Sequence, residues 1–429
     1  MSRVLFVALG EEEVQADRYL SQLLAADGHD CKVVTWLPRL AGDGVESLYK
    51  KSNSTRLSGT VDSLTHAAGF PDAAFIAYYD RDWYFASTRA KREHGQRILA
   101  LASEVIENWK PDIIVSAVGG ETTRVAFDAI AKSQGIRRAY FNAIPLEKRF
   151  VLLPDMSSPF VPFPGGEGYK PRSRSHSEPK NGSLPHFSNH LRKSRIDPLI
   201  RASEVTVKHR GIYPRGWYRS KSIATLRERV LRQIPTTVGQ PLDSETNIVY
   251  PMHDERDFQV AVRERHAIPQ AHLLRYVSTT LPVGYRLWIK PHPEHLTSHH
   301  NIVMPEIAKC PNISFLEPGM HFTDAIDFAD VILTLASTMG FEALKRSKPV
   351  VCYGTPFYSG YGLTTDVKDP RGISQAIVEA ERPCPERLDE LLARMAAYSW
   401  PGKFTPIDLS PHNLFLLRNG LSDVITLAK

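Results

Sequence analysis

The stretch Asp330–Leu344, DVILTLASTMGFEAL, decides the fold because it runs from a predicted strand directly into a predicted helix. Its apolar run ends at Ser337 and Thr338, which are residue types preferred at helix starts, and Gly340 and Glu342 follow in the first turn. Free N–H groups and the positive end of the helix dipole make such a start a ready anion site. The pattern is equally typical of an ordinary helix cap, so both interpretations stay open here.

Apolar runs alternate with amphipathic segments in both halves of the chain. The first half contains the predicted strands RVLFVAL, CKVVTW, PDIIVSAVGG and IRRAYFNAIP, and the second half contains TNIVYPM, YRLWIKP, NISFLEP, DVILTLA and PVVCYG. Strands that alternate with helices indicate parallel sheets, which bind ligands at the carboxyl ends of their strands. We therefore predict an α/β fold with two Rossmann-like domains facing each other across a cleft. This is the glycosyltransferase B (GT-B) layout, which other nucleotide-linked enzymes share.

The chain divides into four predicted segments. Residues 1–150 form the first Rossmann-like domain, 151–240 a basic and partly flexible linker, and 241–400 the second Rossmann-like domain. Residues 401–429 form a C-terminal helical segment, for which packing against the first domain is one arrangement.

Composition indicates a soluble protein. No apolar run approaches the roughly 18–20 residues that a membrane span needs, and the N-terminal MSRVLFVALGEEE lacks the long apolar region of a signal peptide. The four cysteines are far apart and form no CxxC pair, which predicts reduced thiols and no metal or redox site. We expect a cytoplasmic location.

The basic residues are concentrated in one segment. Residues 170–233 hold sixteen Lys or Arg against four Asp or Glu, so this segment carries +12 and the rest of the chain −6. No nucleic-acid-binding module is visible in it, so we expect no nucleic-acid partner. A solvated loop and a surface that binds an anionic membrane, as a peripheral protein would, both remain open.

A second motif, WIKPHPE, occupies residues 288–294. Lys290 ends a predicted strand, and the prolines on both sides of His292 stiffen its turn, so the imidazole can donate to a phosphate. We expect this turn and the one at Ser337 to lie at the ends of two neighbouring strands. A solvated surface turn is the alternative. A zinc site formed by His292, His295, His299 and His300 is disfavoured because no acid or Cys completes it at convincing spacing.

Acidic residues follow two further strands. The stretch NIVYPMHDERDFQV, residues 247–260, carries His253 and Asp257 after a strand, and glycosyl transfer needs a carboxylate to activate the acceptor or trap the anomeric carbon. In the first half, SAVGGETTR places Glu121 between a strand and a helix, on the expected acceptor side. Surface acids are commoner than catalytic ones, so both positions are candidates only.

The order of four motifs, YPMHDERD, LWIKPHPE, LTLASTMGFEALKRSKPVVCYG and TPFYSGYGLTTD, resembles the capsule polysaccharide biosynthesis proteins, which include bacterial Kdo transferases. The resemblance covers roughly residues 245–368. It implies a glycosyltransferase of the B type whose donor is a CMP-activated, Kdo-like sugar. Because Lys290, His292 and the helix dipole can offset the charge of the leaving group, we expect neither a metal nor a cofactor besides this donor. The acceptor would be a glycan or a lipid-linked precursor of a cell-surface polysaccharide.

The resemblance also implies roles for individual residues. The family's catalytic aspartate falls on Asp257, while His253 stands where the Kdo transferases carry glutamine, which leaves the donor sugar open. The resemblance implies donor contacts at His292, Pro293, Ser337 and Thr338, with Glu342 one turn inside the helix. Three further residues that follow strands of the second half complete the predicted donor site: Lys290, Glu317 and Tyr358. For Tyr358 a purely structural loop is the alternative.

Three alternatives share this architecture. A CDP-glycerol glycerophosphotransferase of the teichoic acid type is disfavoured, because LASTMG stands where that family usually has aspartate-tyrosine-serine-serine. A UDP-sugar enzyme or sugar-nucleotide epimerase is the second. The third is a non-enzymatic polysaccharide-binding assembly factor, which the intact His292, Ser337 and Asp257 disfavour.

Overall fold

The structure of the chain is a computed structural model. It describes residues 1–36, 38–48, 61–78, 80, 83, 86–162, 166, 168–172, 244–255, 257–264, 267–291, 307, 309–317, 319–405 and 407–427.

The chain forms two compact units. Unit 1 holds the described residues of Met1–Asp155, Tyr169–Thr225 and Ser399–Lys429, and unit 2 those of Met156–Gly168 and Leu226–Tyr398. The chain therefore returns from unit 2 to unit 1 after residue 398, and the segment Met156–Gly168 belongs with unit 2. Most of the predicted linker 151–240 and of the basic segment 170–233 lies outside the described residues.

Unit 1 is built on a seven-stranded sheet in the order β13-β6-β5-β4-β1-β2-β3. β1 to β5 are parallel, while β6 and β13 run antiparallel to their neighbours. The strands are β1 (Arg3–Ala8), β2 (Asp30–Thr35), β3 (Val45–Ser47), β4 (Ile113–Ala117), β5 (Arg137–Ala143), β6 (Arg149–Leu153) and β13 (Trp400–Pro401).

The helices of unit 1 connect and cover these strands. They are α1 (Glu11–Ala26), α2 (Val61–Ala67), α3 (Ala74–Tyr78), α4 (Thr88–Trp109), α5 (Thr122–Ser133) and α11 (Pro411–Thr426), with a 3₁₀ helix at Pro38–Leu40. β1 reads RVLFVA and is buried after its first residue, as expected of a central parallel strand covered on both faces. In α1, Tyr19, Leu20 and Leu24 contribute to the core.

The C-terminal segment completes the core of unit 1. Trp400 stacks on Phe150, with ring centroids 6.0 Å apart, and its indole N–H donates to Asp423 of α11 at 2.9 Å. A Cβ at Gly420 would lie 2.7 Å from the Phe150 ring, so the helix approaches β6 too closely for a larger residue. Residues of α11 and α1 share one apolar cluster.

Unit 2 is built on a six-stranded parallel sheet in the order β12-β11-β10-β7-β8-β9. The strands are β7 (Thr246–Pro251), β8 (Tyr285–Lys290), β9 (Ile313–Phe315), β10 (Val331–Thr334), β11 (Val350–Cys352) and β12 (Thr365–Asp366). The helices are α6 (Gln270–Thr280), α7 (Phe322–Phe328), α8 (Thr338–Lys345), α9 (Ile373–Val378) and α10 (Pro385–Ala397), with a π-helical turn at Gln259–Arg263 and a 3₁₀ helix at Pro370–Gly372.

Both sheets follow the Rossmann strand order. Counted along the chain, the six strands of unit 2 and the first six strands of unit 1 run 3-2-1-4-5-6, so the order reverses between the first and fourth strands. The reversal lies between β1 and β4 in unit 1, and between β7 and β10 in unit 2. The predicted α/β fold with two Rossmann-like domains is confirmed, while the cleft between them stays a prediction. Among the described residues, no helix combines the length and apolar content that a membrane crossing requires.

Candidate functional site

The reversal point of the unit 2 sheet places the loop after β7, residues 252–257 (the β7 loop), between the two predicted phosphate-binding turns. β7 pairs with β8 on one side and with β10 on the other. The prediction that the turns after β8 and β10 follow neighbouring strands is therefore wrong, because β7 lies between them. At about 4.8 Å per strand, the two strand ends are about 10 Å apart.

The β7 loop is fixed by one buried side chain, Gln270, at the start of α6. The Gln270 amide accepts from the His253 N–H at 2.9 Å and donates to the His253 carbonyl at 2.9 Å. Tyr250 donates its hydroxyl to the same amide oxygen at 3.0 Å, and the Gln270 N–H donates to the Glu255 carboxylate at 2.8 Å. These bonds hold His253 at one position at the end of β7.

His253 connects the β7 loop to the turn after β10. Its Nε2 accepts from the Ala336 N–H at 3.3 Å. Since an acceptor nitrogen carries no proton, this bond belongs to the neutral imidazole with its proton on Nδ1. His253 therefore lies beside the start of α8 and joins the β7 loop to the predicted anion site there.

Asp257 lies in the same loop, four residues after His253, and is half-buried. Its carboxylate accepts from the Gln259 N–H at 2.9 Å, and its carbonyl accepts from the Ala261 N–H at 2.7 Å. These bonds begin the π-helical turn Gln259–Arg263. The structure thus places the predicted catalytic acid at the reversal point, on a backbone that this turn supports.

The start of α8 has the geometry of a capped helix with one open donor. Ser337 Oγ accepts from the Met339 N–H at 3.2 Å, and the Ser337 N–H donates to Thr334 Oγ1 at 3.0 Å. Thr338 is exposed, and among the residues that the structure describes its N–H has no protein acceptor. An anion at this end could therefore receive the Thr338 N–H and the favourable helix dipole.

Tyr358 supports this helix start from inside the protein. It is fully buried, its hydroxyl donates to the Ser337 carbonyl at 2.6 Å, and burial raises its pKa well above the usual value. A Cβ at Gly340 would lie 2.2 Å from that hydroxyl, so only glycine fits. The prediction that the Tyr358 ring and hydroxyl contact the donor is not supported, because the core encloses them.

Lys290 ends β8 on the opposite side of the β7 loop. It is 6% exposed, and its ammonium group donates to the Pro291 carbonyl at 3.3 Å. Within the described ranges it forms no ion pair, and burial lowers its pKa. A buried ammonium without a carboxylate is costly, and a bound anion would offset that cost.

The other predicted donor-site residues occupy different positions. Glu342 forms an ion pair with Lys345 at 2.7 Å. Glu317 is exposed after the edge strand β9, three strand positions or about 14 Å from β10, so the structure does not bring it to the helix start. His292 and Pro293 lie outside the described residues, as do His295, His299 and His300 of the disfavoured zinc site. The described part of the chain contains no cluster suited to a metal ion.

Sequence reasoning missed Glu264. This carboxylate is buried and accepts from the Thr355 N–H at 2.6 Å and from Thr355 Oγ1 at 2.9 Å, at the carboxyl end of β11. Burial raises its pKa, and the bonds from Thr355 offset part of that rise. In the sequence Glu264 stands in a run of charged residues that looks like protein surface, so no local signal marks it.

Glu121 lies in unit 1, at the equivalent edge of the other sheet. It precedes α5, and its carboxylate pairs with Arg124 at 3.0 Å. Arg124 is 5% exposed and also binds both carboxylate oxygens of Glu13 at 2.6 Å. The structure therefore places Glu121 in a network of ion pairs.

The fold and the unit 2 site together define a two-unit Rossmann-like protein with a candidate anion site. Residues 208–393 match the family described as capsule polysaccharide biosynthesis protein. The resemblance to this family that the motifs predict is confirmed over that segment, which is less than half of the chain.

Two kinds of relative resemble the chain in sequence. Capsule polysaccharide modification protein LipA of Neisseria meningitidis serogroup B is 36% identical over 132 residues, which are 30% of this chain and 18% of LipA. Lipopolysaccharide-processing protein LpsZ of Rhizobium meliloti is 34% identical over 114 residues, 25% of this chain and 22% of LpsZ. The chain thus matches about a fifth of the length of these curated relatives.

Solved structures resemble the chain more distantly. Thermosulfurimonas dismutans KpsC, a beta Kdo 2,7 transferase, has 17% identity and a TM-score of 0.38, covering 77% of this chain and 90% of that chain. UDP-GlcNAc 2-epimerase from Neisseria meningitidis has 13% identity and a TM-score of 0.31, covering 99% of both chains. At these TM-scores the similarity supports no argument about function.

Proposed function

We propose that the chain is a glycosyltransferase of capsule or other cell-surface polysaccharide biosynthesis. Unit 2 binds the nucleotide-sugar donor at the reversal point of its sheet, and the sugar passes to a glycan or lipid-linked acceptor. The family match and the LipA and LpsZ relatives support the process, and the residues around β7 support the chemistry.

The observation that carries the proposal is the buried charge of Lys290. With no carboxylate partner among the described residues, its ammonium leaves positive charge at the ligand-binding edge of the sheet. The start of α8 lies about 10 Å away across β7, and its open Thr338 N–H also favours negative charge. A nucleotide is long enough for its phosphate to contact one of these groups while its remainder reaches toward the other.

Asp257 supplies the carboxylate that the reaction needs. The transition state of glycosyl transfer resembles an oxocarbenium ion, so a carboxylate beside the anomeric carbon can act as nucleophile or activate the acceptor hydroxyl as base. Asp257 stands on the loop between the two phosphate-binding sides. His253 holds that loop to the turn at Ala336, which keeps the carboxylate and the phosphate groups in register.

The donor in this proposal is CMP-linked and Kdo-like, as the family resemblance implies. Lys290 and the α8 start offset the charge of the departing CMP, so no metal is needed for that step. Attachment to an anionic membrane would use the basic segment 170–233, most of which lies outside the described residues.

A nucleotide panel tests the proposal. We expect CMP to raise the melting temperature, whereas UDP, GDP and CDP raise it less, because a ligand that binds only the folded state stabilises it. Stabilisation by UDP or GDP alone would contradict the CMP donor. No response to any of the four would favour a polysaccharide-binding assembly factor.

Lys290→Met is the matching variant, because it removes the charge and keeps an unbranched side chain. We expect its CMP affinity to fall about 10- to 100-fold, since hydrogen bonds to charged groups contribute about 1.5–3 kcal/mol. Lys368→Met is the control, because Lys368 is an exposed lysine of the same unit. Equal CMP affinity in both variants would remove Lys290 from the site.

A further inference from the structure

The carboxylate of Glu264 lies at the ligand-binding edge of the unit 2 sheet, beside the turn that leads into α8. A Cβ placed on Gly354 would lie 2.8 Å from Glu264 Cδ and 2.3 Å from the Leu335 carbonyl oxygen, so the two groups are neighbours. Leu335 stands two residues before Ser337, the N-cap of α8. The turn into α8 therefore has His253 on its β7 side and Glu264 on its β11 side.

Glu264 is held in place by its backbone and by Thr355. Its N–H donates to the Gln259 carbonyl at 3.1 Å and ends the π-helical turn, and its own carbonyl accepts from the Ala267 N–H at 2.8 Å. Its carboxylate accepts from the Thr355 N–H at 2.6 Å and from Thr355 Oγ1 at 2.9 Å. The carboxylate thus has a fixed position beside the predicted anion site.

One of the two carboxylate oxygens is open. Both bonds from Thr355 go to Oε1, and within the described ranges Oε2 accepts no hydrogen bond. Glu264 is 8% exposed, and Oε2 keeps some of that accessible surface, so a ligand can reach it. A carboxylate oxygen in so enclosed a place is unfavourable without a donor, and a ligand that supplied one would be favoured.

The neighbouring Arg263 does not supply that donor. Burial raises the pKa of Glu264, while the bonds from Thr355 and the charge of Arg263 oppose that rise. The Arg263 guanidinium, however, donates to the Met156 carbonyl at 3.2 Å and to Gln259 Oε1 at 3.1 Å. Its charge acts on Glu264 from a distance and leaves Oε2 for another donor.

An acceptor oxygen beside a phosphate site suits the sugar of a nucleotide. β10 and β11 are neighbours, about 4.8 Å apart, so Glu264 lies about one strand away from the phosphate that the start of α8 would bind. In a 5′-nucleotide the ribose follows the phosphate directly and carries two hydroxyls that can donate, while the base lies further away. In Rossmann-like dinucleotide sites a carboxylate likewise accepts from a ribose hydroxyl.

We propose that Glu264 Oε2 accepts a hydrogen bond from a ribose hydroxyl of the donor nucleotide and that unit 2 thereby selects ribonucleotides over deoxyribonucleotides. This contact rests on the proposed function in one respect, namely that the anion at the start of α8 is a nucleotide phosphate. It does not depend on which base the nucleotide carries. Glu264 is thus a specificity-determining residue that touches the donor away from the reacting atoms.

Three nucleotides test the contact by isothermal titration calorimetry on the full chain. CMP, 2′-deoxy-CMP and 3′-deoxy-CMP differ by single hydroxyls. We expect at least one deoxy analogue to bind about tenfold or more weakly than CMP, because hydrogen bonds to charged groups are the stronger kind. Equal affinities for all three nucleotides would overturn the proposal.

Glu264→Gln assigns the selectivity to this carboxylate. The amide oxygen can still accept from Thr355, so the chain should fold, but a donor replaces the charged acceptor at the second position. The ratio of the CMP affinity to that of the weaker deoxy analogue should fall about five- to tenfold. Glu381→Gln, at an exposed glutamate of unit 2, is the control and should leave the ratio unchanged. A purely structural role of Glu264 would weaken all three nucleotides alike, and an unchanged ratio in Glu264→Gln would therefore contradict the contact.

UMP separates the ribose from the base, because the amino group of cytosine is a donor that uracil lacks. We expect Glu264→Gln to leave the ratio of CMP to UMP affinity unchanged. A variant that altered this ratio and kept the selectivity against the deoxy analogues would place the base at Glu264 and overturn the ribose contact.

The same measurements separate this contact from the proposed function. CMP binding without selectivity for ribose would contradict the Glu264 contact alone. If UDP or GDP bound in place of CMP, the CMP donor would be wrong, and the 2′-deoxy form of the nucleotide that bound would decide on Glu264. No binding of any nucleotide would contradict both.

Discussion

The two sheets share one strand order, yet the charged groups at their reversal points are paired differently. In unit 1, Glu13 occupies the amides after β1 and Arg124 is bound by two carboxylates. In unit 2, Lys290 has no carboxylate partner among the described residues, and the start of α8 keeps the Thr338 N–H open. Because topology is equal on both sides, this difference in pairing favours a phosphate in unit 2 over unit 1.

The largest expected effect is on catalysis in unit 2. Asp257→Asn keeps an oxygen that can accept from the Gln259 N–H but removes the charge, so sugar transfer should fall about 10²- to 10⁴-fold. CMP binding should change little. Asp389→Asn, at an exposed carboxylate of α10, is the control for both assays. Turnover at the wild-type rate would exclude Asp257 as the catalytic carboxylate.

The next effect concerns the stability of unit 1. Arg124→Met leaves Glu13 and Glu121 without their cation and should lower the free energy of unfolding by about 3–5 kcal/mol. Burial and Glu13 raise the pKa of Asp17, and Arg124 opposes that rise. Without Arg124, ionised Asp17 is costlier in the folded protein, so the loss of unfolding free energy should grow as pH rises. Urea unfolding measures it. A loss below about 1 kcal/mol would mean that Arg124 does not balance these carboxylates.

A smaller effect is expected at Gly340 in α8. Alanine is the better helix former, but its Cβ would lie 2.2 Å from the Tyr358 hydroxyl, so Gly340→Ala should destabilise by about 1–3 kcal/mol. Gly372→Ala, whose nearest neighbour would be 3.4 Å away, is the control and should be nearly neutral. Thermal unfolding compares the two. Stabilisation by Gly340→Ala would show that Tyr358 can move.

The smallest effect has the opposite sign to that of Arg124→Met. Lys290→Met removes a buried charge without a carboxylate partner, so the stability should stay equal or rise by about 1 kcal/mol at neutral pH. Because the folded-state pKa of Lys290 is lowered from 10.5, the unfolded state binds more protons and wild-type stability rises with pH in that window. The difference in stability between the wild type and Lys290→Met should therefore disappear as the pH approaches 10.5, the ordinary pKa of lysine. A gap that widens with pH would contradict the burial of the charge.

Local sequence signals predicted nine of the thirteen strands that the structure describes, the helix start at Ser337 and the position of Asp257 after a strand; they missed β3, β6, β12 and β13. They could not predict that β7 separates β8 from β10, because strand order depends on packing between distant segments. The burial of Glu264 and Tyr358 also depends on packing between distant segments. The same holds for the pairing of Arg124 with Glu13, which lies 111 residues earlier in the chain.

Hydrogen–deuterium exchange with and without CMP tests the central claim most directly. The account predicts that CMP slows exchange in the β7 loop and at the start of α8, around residues 252–257 and 336–340. It predicts no change around residues 9–13 and 118–124 of unit 1, where Glu13 already occupies the amides. Protection confined to the unit 1 segments would contradict the account.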